Sequence, residues 1–301
     1  MSIFEKVKEL REITGAGMQD CKIALSESNE NIDLAIEFLR KKGIAKAAKK
    51  SDRGASEGLI TIYNKDNISS IVEINSETDF VAKNPEFNKF CEKIASLCIV
   101  SKNIEDLKNK KFDEIETVSS ALISLVAKIG ENIQIRRFQN LSSEGAVASY
   151  IHNKQSENSG KLGVLLAYET DNFELSKSFA NQICMHIAAT SPLSLNSDGI
   201  SKEFLDNEKK IITDLLLNEG KKLEMIDKIV SGKISKIIKD NTLLGQKWVM
   251  NQDMSVENAI KKFQDENKTN FVIKNFIRYK VGEGLDTKKT DFADEVKSLT
   301  K

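Results

Sequence analysis

The side chains best suited to nucleophilic or metal chemistry are four cysteines and two histidines, and their spacing organises neither. Cys21, Cys91, Cys98 and Cys184 form no C-x-x-C pair, and His152 and His186 are too few to complete a His-based site with cysteines so spaced. Cys91 and Cys98 share one face of a helix, and all four cysteines read as reduced thiols buried as small hydrophobes. His186 follows Met185 in an apolar helical run and reads as a packed core histidine. There is no G-x-x-x-x-G-K-[ST] loop, no G-x-G-x-x-G and no H-E-x-x-H. No metal or cofactor is therefore expected, and a binding protein is favoured over an enzyme. The constellation that stands out is Thr78, Asp79, Phe80 and Val81. An aromatic beside an acid, just after a strand and just before a helix, sits where a rigid scaffold presents side chains outward. Phe80 is either a core residue or an exposed anchor, and an anchor that enters a partner's pocket dominates interface energetics.

A hairpin must precede that constellation and a helix must follow it. Runs at 59–63 and 68–75 are rich in β-formers around a polar turn at 64–67. Pro85 suits the first turn of a helix whose apolar face is Phe87, Phe90, Cys91, Ile94, Leu97 and Cys98. A second helix, over 115–129, ends at Gly130, and Ile133, Ile135 and Phe138 then alternate as a strand. The order recurs: a hairpin at 147–153 and 162–168 across a polar loop at 154–161, then Glu169-Thr170-Asp171, then a helix carrying Phe179, Ile183, Cys184 and Ile187. Two related β-β-α units side by side are expected. Ahead of them, residues 2–42 read as three short helices, with a Ser2–Glu5 capping box, stops at Gly15, Gly17 and Gly43, and Asn31 as a cap. The segment 44–56 reads as a linker whose basic run is a solvated face, contact with an acidic partner or RNA being the alternative. Two apolar helical runs at 191–240, parted by Gly220, make a helical hairpin. A short extended segment at 248–250, a helix at 256–263, a strand at 270–281 and a last helix at 291–299 complete the chain.

Composition sets the class. A length of 301 residues suggests about two compact domains with smaller modules attached. The 40% hydrophobic fraction suffices for real cores. Lys+Arg and Asp+Glu are 45 each, so a general grip on nucleic acid or an anionic membrane is not expected. No apolar run approaches the ~18 residues of a membrane span. Residues 1–14 lack a basic stretch followed by an apolar one, and Glu5, Glu9 and Glu12 are unlike a transit peptide, so the expected location is the cytoplasm.

The chain resembles the elongation factor Ts family. The resemblance is carried by LREITGAGMQDCKIAL (10–25), ETDFVAKN (77–84), AKIGENIQIRRF (127–138), SYIH (149–152), MHIAA (185–189), TLLGQKWVM (242–250), FIRYKVGEG (276–284) and TDFADEV (290–296), in the family's order over nearly the whole chain. It implies an α+β fold: a three-helix bundle of the ubiquitin-associated type (1–43), a linker (44–56), a two-lobed core with antiparallel strands (57–140, then 141–190 with 241–280), an inserted coiled-coil hairpin (191–240) and a C-terminal helix module (281–301). It implies guanine-nucleotide exchange on elongation factor Tu without covalent chemistry. Asp79 and Phe80, framed by Thr78 and Val81, would enter the partner's GTPase domain beside its Mg²⁺ and dislocate it. Leu10 and Met18 would face a helix of that domain, Ile129 and Gly130 would press a helix near the same site, and His152 would face another domain. The hairpin at 191–240 would self-associate or lean on the partner. The chain departs from the family pattern at Ile13 and Gln19 and in the loop at 154–161, longer than the usual tight turn. The competing reading is an interaction scaffold in which the small bundle binds a different protein.

Overall fold

The structure, a computed structural model, describes residues 2–14 and 16–285; the helix expected at 291–299 and the stop at Gly15 lie outside the described residues. Helices α1 (Ile3–Thr14), α2 (Met18–Glu27) and α3 (Ile32–Ala48) form the N-terminal bundle around Leu10, Cys21, Ala24, Leu25 and Ala35. The capping box forms, with the Ser2 N–H donating to Glu5 Oε2 at 2.7 Å and the Glu5 N–H to Ser2 Oγ at 3.3 Å. Asn31 caps α3 by accepting from the Leu34 N–H at 3.0 Å. Gly43 does not end α3, which runs through it to Ala48. It is buried instead at a helix crossing, where a Cβ would meet the Ala127 side chain at 3.5 Å.

The first lobe comprises β1 (Glu57–Lys65), β2 (Ile68–Ser76), α4 (Pro85–Cys98), α5 (Ile104–Asn109), α6 (Val118–Ile129) and β3 (Ile133–Ser142). The short α5 carries no periodic stripe long enough to announce itself in sequence. β1 and β2 pair antiparallel through the two-residue turn Asp66-Asn67, and β3 pairs with the far side of β2. One face of this sheet meets α4 and α6 in a core of Leu59, Val72, Ile74, Phe87, Ile94 and Val126.

The second lobe repeats the plan with β4 (Ala146–Lys154), β5 (Ser159–Thr170) and α7 (Phe173–Thr190). The expected loop at 154–161 shrinks to residues 155–158, because β4 and β5 extend into it and pair as far as Lys154 and Gly160. Then come α8 (Lys202–Asn218), α9 (Leu223–Asn241), β6 (Lys247–Trp248), β7 (Asn251–Ser255), α10 (Val256–Asn267) and β8 (Phe271–Lys280), which returns to pair with β5. α8 and α9 form the helical hairpin, with a seam of Ile212, Leu216, Ile226 and Ile234. Its base is tied to the body where the Leu193 N–H donates to the Asn241 carbonyl at 2.9 Å and the Leu243 N–H to that of Ser194 at 2.8 Å.

The lobes are one six-stranded sheet. They join where Ile60 and Thr61 of β1 meet Gly160 and Ser159 of β5, backed by a shared cluster of Ile60, Ile62, Ile71, Ile151, Leu165 and Tyr279. A buried charge closes the same junction. The fully buried Glu73 carboxylate accepts from Arg136 at 3.0 Å, Arg137 Nε at 2.6 Å and the Gly282 N–H at 2.8 Å, tying β2 and β3 to the turn after β8.

Candidate functional site: an exposed aromatic–acid tip

The strand ladder of β2 ends at Ser76, and α4 starts at Pro85 with Asn84 as its cap, accepting from the Glu86 and Phe87 N–H groups at 2.8 and 3.3 Å. Between them the chain makes one tight turn. A 3₁₀ turn at Val81–Lys83 drives Val81 and Ala82 into the first-lobe core, 4% and 2% exposed. With those two inside, the preceding residue points away: Phe80 is 75% exposed and Asp79 beside it is exposed. The ring is thus held in water at the end of a turn whose root is buried. The open question about Phe80 is thus resolved in favour of exposure. Val81, grouped with the partner-binding residues in sequence, is buried and serves as the root of the tip.

A second loop braces the tip. α6 ends at Gly130, whose φ of 88° lies in the left-handed region that glycine alone enters without strain. The reversal delivers Glu131 and Asn132 against residues 77 and 78: Thr78 donates its N–H and hydroxyl to Glu131 at 2.9 and 2.7 Å, and the Asn132 N–H donates to Glu77 Oε1 at 2.6 Å. Ile129, half-buried, packs on the same core as Val81. The linker reaches this place too. Lys50 donates to the Gly130 carbonyl, the Asn132 amide donates to the Arg53 carbonyl at 2.7 Å, and Arg53 lies 3.5 Å from Glu77. The basic run is therefore partly engaged with the chain's own body rather than wholly solvated. Sequence reasoning missed Glu77, Glu131 and Asn132 as supports; the one signal, for Glu131 and Asn132, is a carboxylate and an amide placed directly after a helix-ending glycine.

The structure brings Thr78, Asp79, Phe80, Val81, Ile129 and Gly130 into one neighbourhood and leaves Leu10, Met18 and His152 on other modules. Met18, 56% exposed, starts α2 on the bundle, where Phe4 and Ile13 are also exposed. Leu10 is fully buried in that bundle, so the expectation that it faces a partner directly is corrected: it holds α1 and α2 together. His152 is exposed on β4 of the second lobe, its Nδ1 3.0 Å from the Tyr150 hydroxyl. The second Glu-Thr-Asp forms no tip. The Thr170 hydroxyl donates to the Asn270 carbonyl at 2.8 Å and Asp171 accepts from the Asn270 N–H at 3.1 Å, both spent on fastening the start of β8.

All four cysteines are buried and unpaired, and burial pushes the thiols of Cys91, Cys98 and Cys184 far up. His186 is fully buried; its Nδ1 accepts from the Val249 N–H at 3.3 Å and its Nε2 donates to Gln246 Oε1 at 3.0 Å, while burial lowers its pKa. Among the described residues no cluster of three or more His, Cys, Asp or Glu is placed to hold a metal ion, and no helix is long and apolar enough to cross a membrane.

Comparison with known proteins agrees with this architecture. The profile of the family described as Elongation factor TS matches residues 77–283, from the root of the tip to the turn after β8. The chain is 44% identical over 305 residues to Elongation factor Ts of Clostridium kluyveri, covering 99% of this chain and 98% of that protein. It is 44% identical over 300 residues to Elongation factor Ts of Bartonella tribocorum, covering 98% of each, and 41% identical over 297 residues to that of Rickettsia prowazekii, covering 98% and 96%. A two-lobed antiparallel sheet with an N-terminal bundle, matched along nearly its whole length at this identity, places the chain in the elongation factor Ts family.

Proposed function

We propose that the chain is a guanine-nucleotide exchange factor of translation elongation: in the cytoplasm it binds GDP-loaded elongation factor Tu and speeds GDP release, making and breaking no covalent bond. The observation that carries the reading is the Phe80 ring, 75% exposed beside Asp79 on a tip whose root is buried. Bound GDP depends on Mg²⁺ and on backbone donors around its phosphates. A ring wedged between elements of the partner beside that metal displaces the groups that hold it, and Asp79 competes for polar groups there. With the cation lost, phosphate charge is under-compensated and GDP leaves faster. Linkage then requires that GDP weaken the factor's binding as much as the factor weakens GDP's, and GTP in excess refills the site.

Met18 on the bundle (1–43), Ile129 and Gly130 on the first lobe (57–140) and His152 on the second (141–190 with 241–280) are the proposed flanking contacts. Together they spread the grip over more than one domain of the partner. The hairpin at 191–240, with Ile211, Leu215 and Met225 exposed, is assigned a role in contact with the partner or a second copy. Mixing the protein with elongation factor Tu carrying a fluorescent GDP tests the reading. Release should accelerate in proportion to the factor added until it saturates, and unchanged release contradicts it.

A further inference from the structure

The geometry points to Glu131 as a positioning residue for Asp79 and Phe80: its carboxylate, rather than the sheet, sets where the tip aims. This rests on the exchange reading above. The ladder ends where Ser76 pairs with Glu57 and Ile133, so the sheet does not hold residues 77–80. Beyond that point Thr78 is tied to a distant part of the chain through one side chain. Its N–H donates to Glu131 Oε2 at 2.9 Å and its hydroxyl to Oε1 at 2.7 Å. Two charge-assisted bonds from one residue to both oxygens of one carboxylate fix orientation as well as distance. Locally, the Ser76 hydroxyl donates to the Thr78 carbonyl at 2.8 Å.

Glu131 is itself held. It follows the left-handed Gly130, and the next residue, Asn132, donates its N–H to Glu77 Oε1 at 2.6 Å. Glu77 and Glu131 therefore cross over, each taking a backbone N–H from the other's loop. The Asn132 side chain and Lys50 fasten the linker to the same crossing. On its other side the tip is anchored by Val81 and Ala82 in the core, and the Ala82 and Lys83 N–H groups donate to the Asp79 and Phe80 carbonyls at 3.2 and 3.1 Å. Asp79 and Phe80 thus sit between two anchors. Without Glu131 the upstream anchor loses both bonds from Thr78 to the loop after α6 and keeps only the ties at Ser76 and Glu77, and the ring gains a range of directions while keeping its root.

The test measures GDP release from GDP-loaded elongation factor Tu over a range of factor concentrations, separating maximal rate from half-saturating concentration. Glu131→Ala should lower the maximal rate about tenfold or more while moving half-saturation less than about threefold, because the flanking contacts remain. Glu131→Gln keeps one acceptor oxygen for two donors and should fall between. Thr78→Val in the Glu131→Ala background should add little further loss, since Glu131→Ala already removes the hydroxyl bond that Thr78→Val cuts. Amide hydrogen exchange at Thr78 should quicken in Glu131→Ala. A merely structural role would lower the thermal midpoint and leave the maximal rate per folded molecule at the wild-type value. Should Glu131→Ala fail to fold, Glu131→Gln and Thr78→Val carry the same comparison. Phe80→Ala runs in parallel. If it abolishes acceleration while folded Glu131→Ala, or in its place Glu131→Gln and Thr78→Val, keep the full maximal rate, the positioning role is overturned and the exchange reading stands; if Phe80→Ala exchanges normally, the wedge and with it the positioning role fail, and if the wild type itself leaves release unchanged, the exchange reading fails.

Discussion

An exposed phenylalanine beside an exposed aspartate is tolerable in the free chain because a single apolar side chain in water is ordinary; what sets Phe80 apart is the fixed turn beneath it. Sequence left its placement open because the β-rich run that marks β2 stops at residue 76 and the helical stripe begins only at Phe87, so no period spans the tip. Glu131 was illegible for a related reason: a carboxylate after a helix-ending glycine looks like any solvated loop residue until Thr78 is seen against it. His186 was read correctly, since an apolar helical stripe leaves a histidine no route to solvent. Its chemistry gives a pH prediction. Burial depresses its folded pKa below the ordinary value of about 6.5, so the unfolded chain binds the proton first as pH falls. The stability it contributes is complete above about pH 6.5 and declines below it, by at most about 1.4 kcal/mol per pH unit. Urea midpoints of the wild type should fall between pH 6.5 and 5 more steeply than those of His186→Gln; parallel curves would contradict the assignment.

Among the elements, the hairpins and long helices were plain in the sequence because their periods are strong, and their ends were misjudged where a glycine was read by type alone. Gly43 and Gly130 look alike as helix stops, yet Gly43 lies inside α3 and Gly130 ends α6. Backbone geometry and packing separate them. Gly130→Ala must hold a Cβ at a φ of 88° and should cost about 1 kcal/mol with no change in the packing around it. Gly43→Leu pushes a side chain into the crossing with α6 and should cost about 1–3 kcal/mol. Thermal melts of the two variants check both, and a Gly43→Leu protein as stable as the wild type would contradict the crossing. The stretch 154–161 makes the same point: its polar composition hid the pairing of Lys154 with Gly160, which the backbone supports regardless of side chain.

At the scale of the whole molecule, pairing the two β-β-α units was legible from the repeated order of their motifs. Their fusion into one sheet was not, because it runs through β1 and β5, where Ile60 meets Gly160, and pairing partners that far apart in the chain leave no local trace. The Glu73 network at that junction was equally hidden. Arg137 stacks over the Tyr279 ring at 4.1 Å, and burial, ahead of the nearby charges, pushes the Tyr279 hydroxyl up to about 12. Glu73→Ala leaves two guanidinium groups without their shared carboxylate and should cost about 3 kcal/mol, the low end for a broken buried pair because both arginines keep some water. Equilibrium unfolding in urea measures this, and a loss under about 1 kcal/mol would show that the junction relies on apolar packing alone. On the proposed exchange reading the junction supplies the stiff platform that a wedge spanning its partner needs. The most direct test of that wedge is stopped-flow release of fluorescent GDP from elongation factor Tu with saturating wild-type chain or Phe80→Ala, both confirmed folded by melting. Truncating an anchor of this kind removes about 2 kcal/mol or more, so the variant should release GDP at least about thirtyfold more slowly. Release at the wild-type rate by Phe80→Ala would contradict the account.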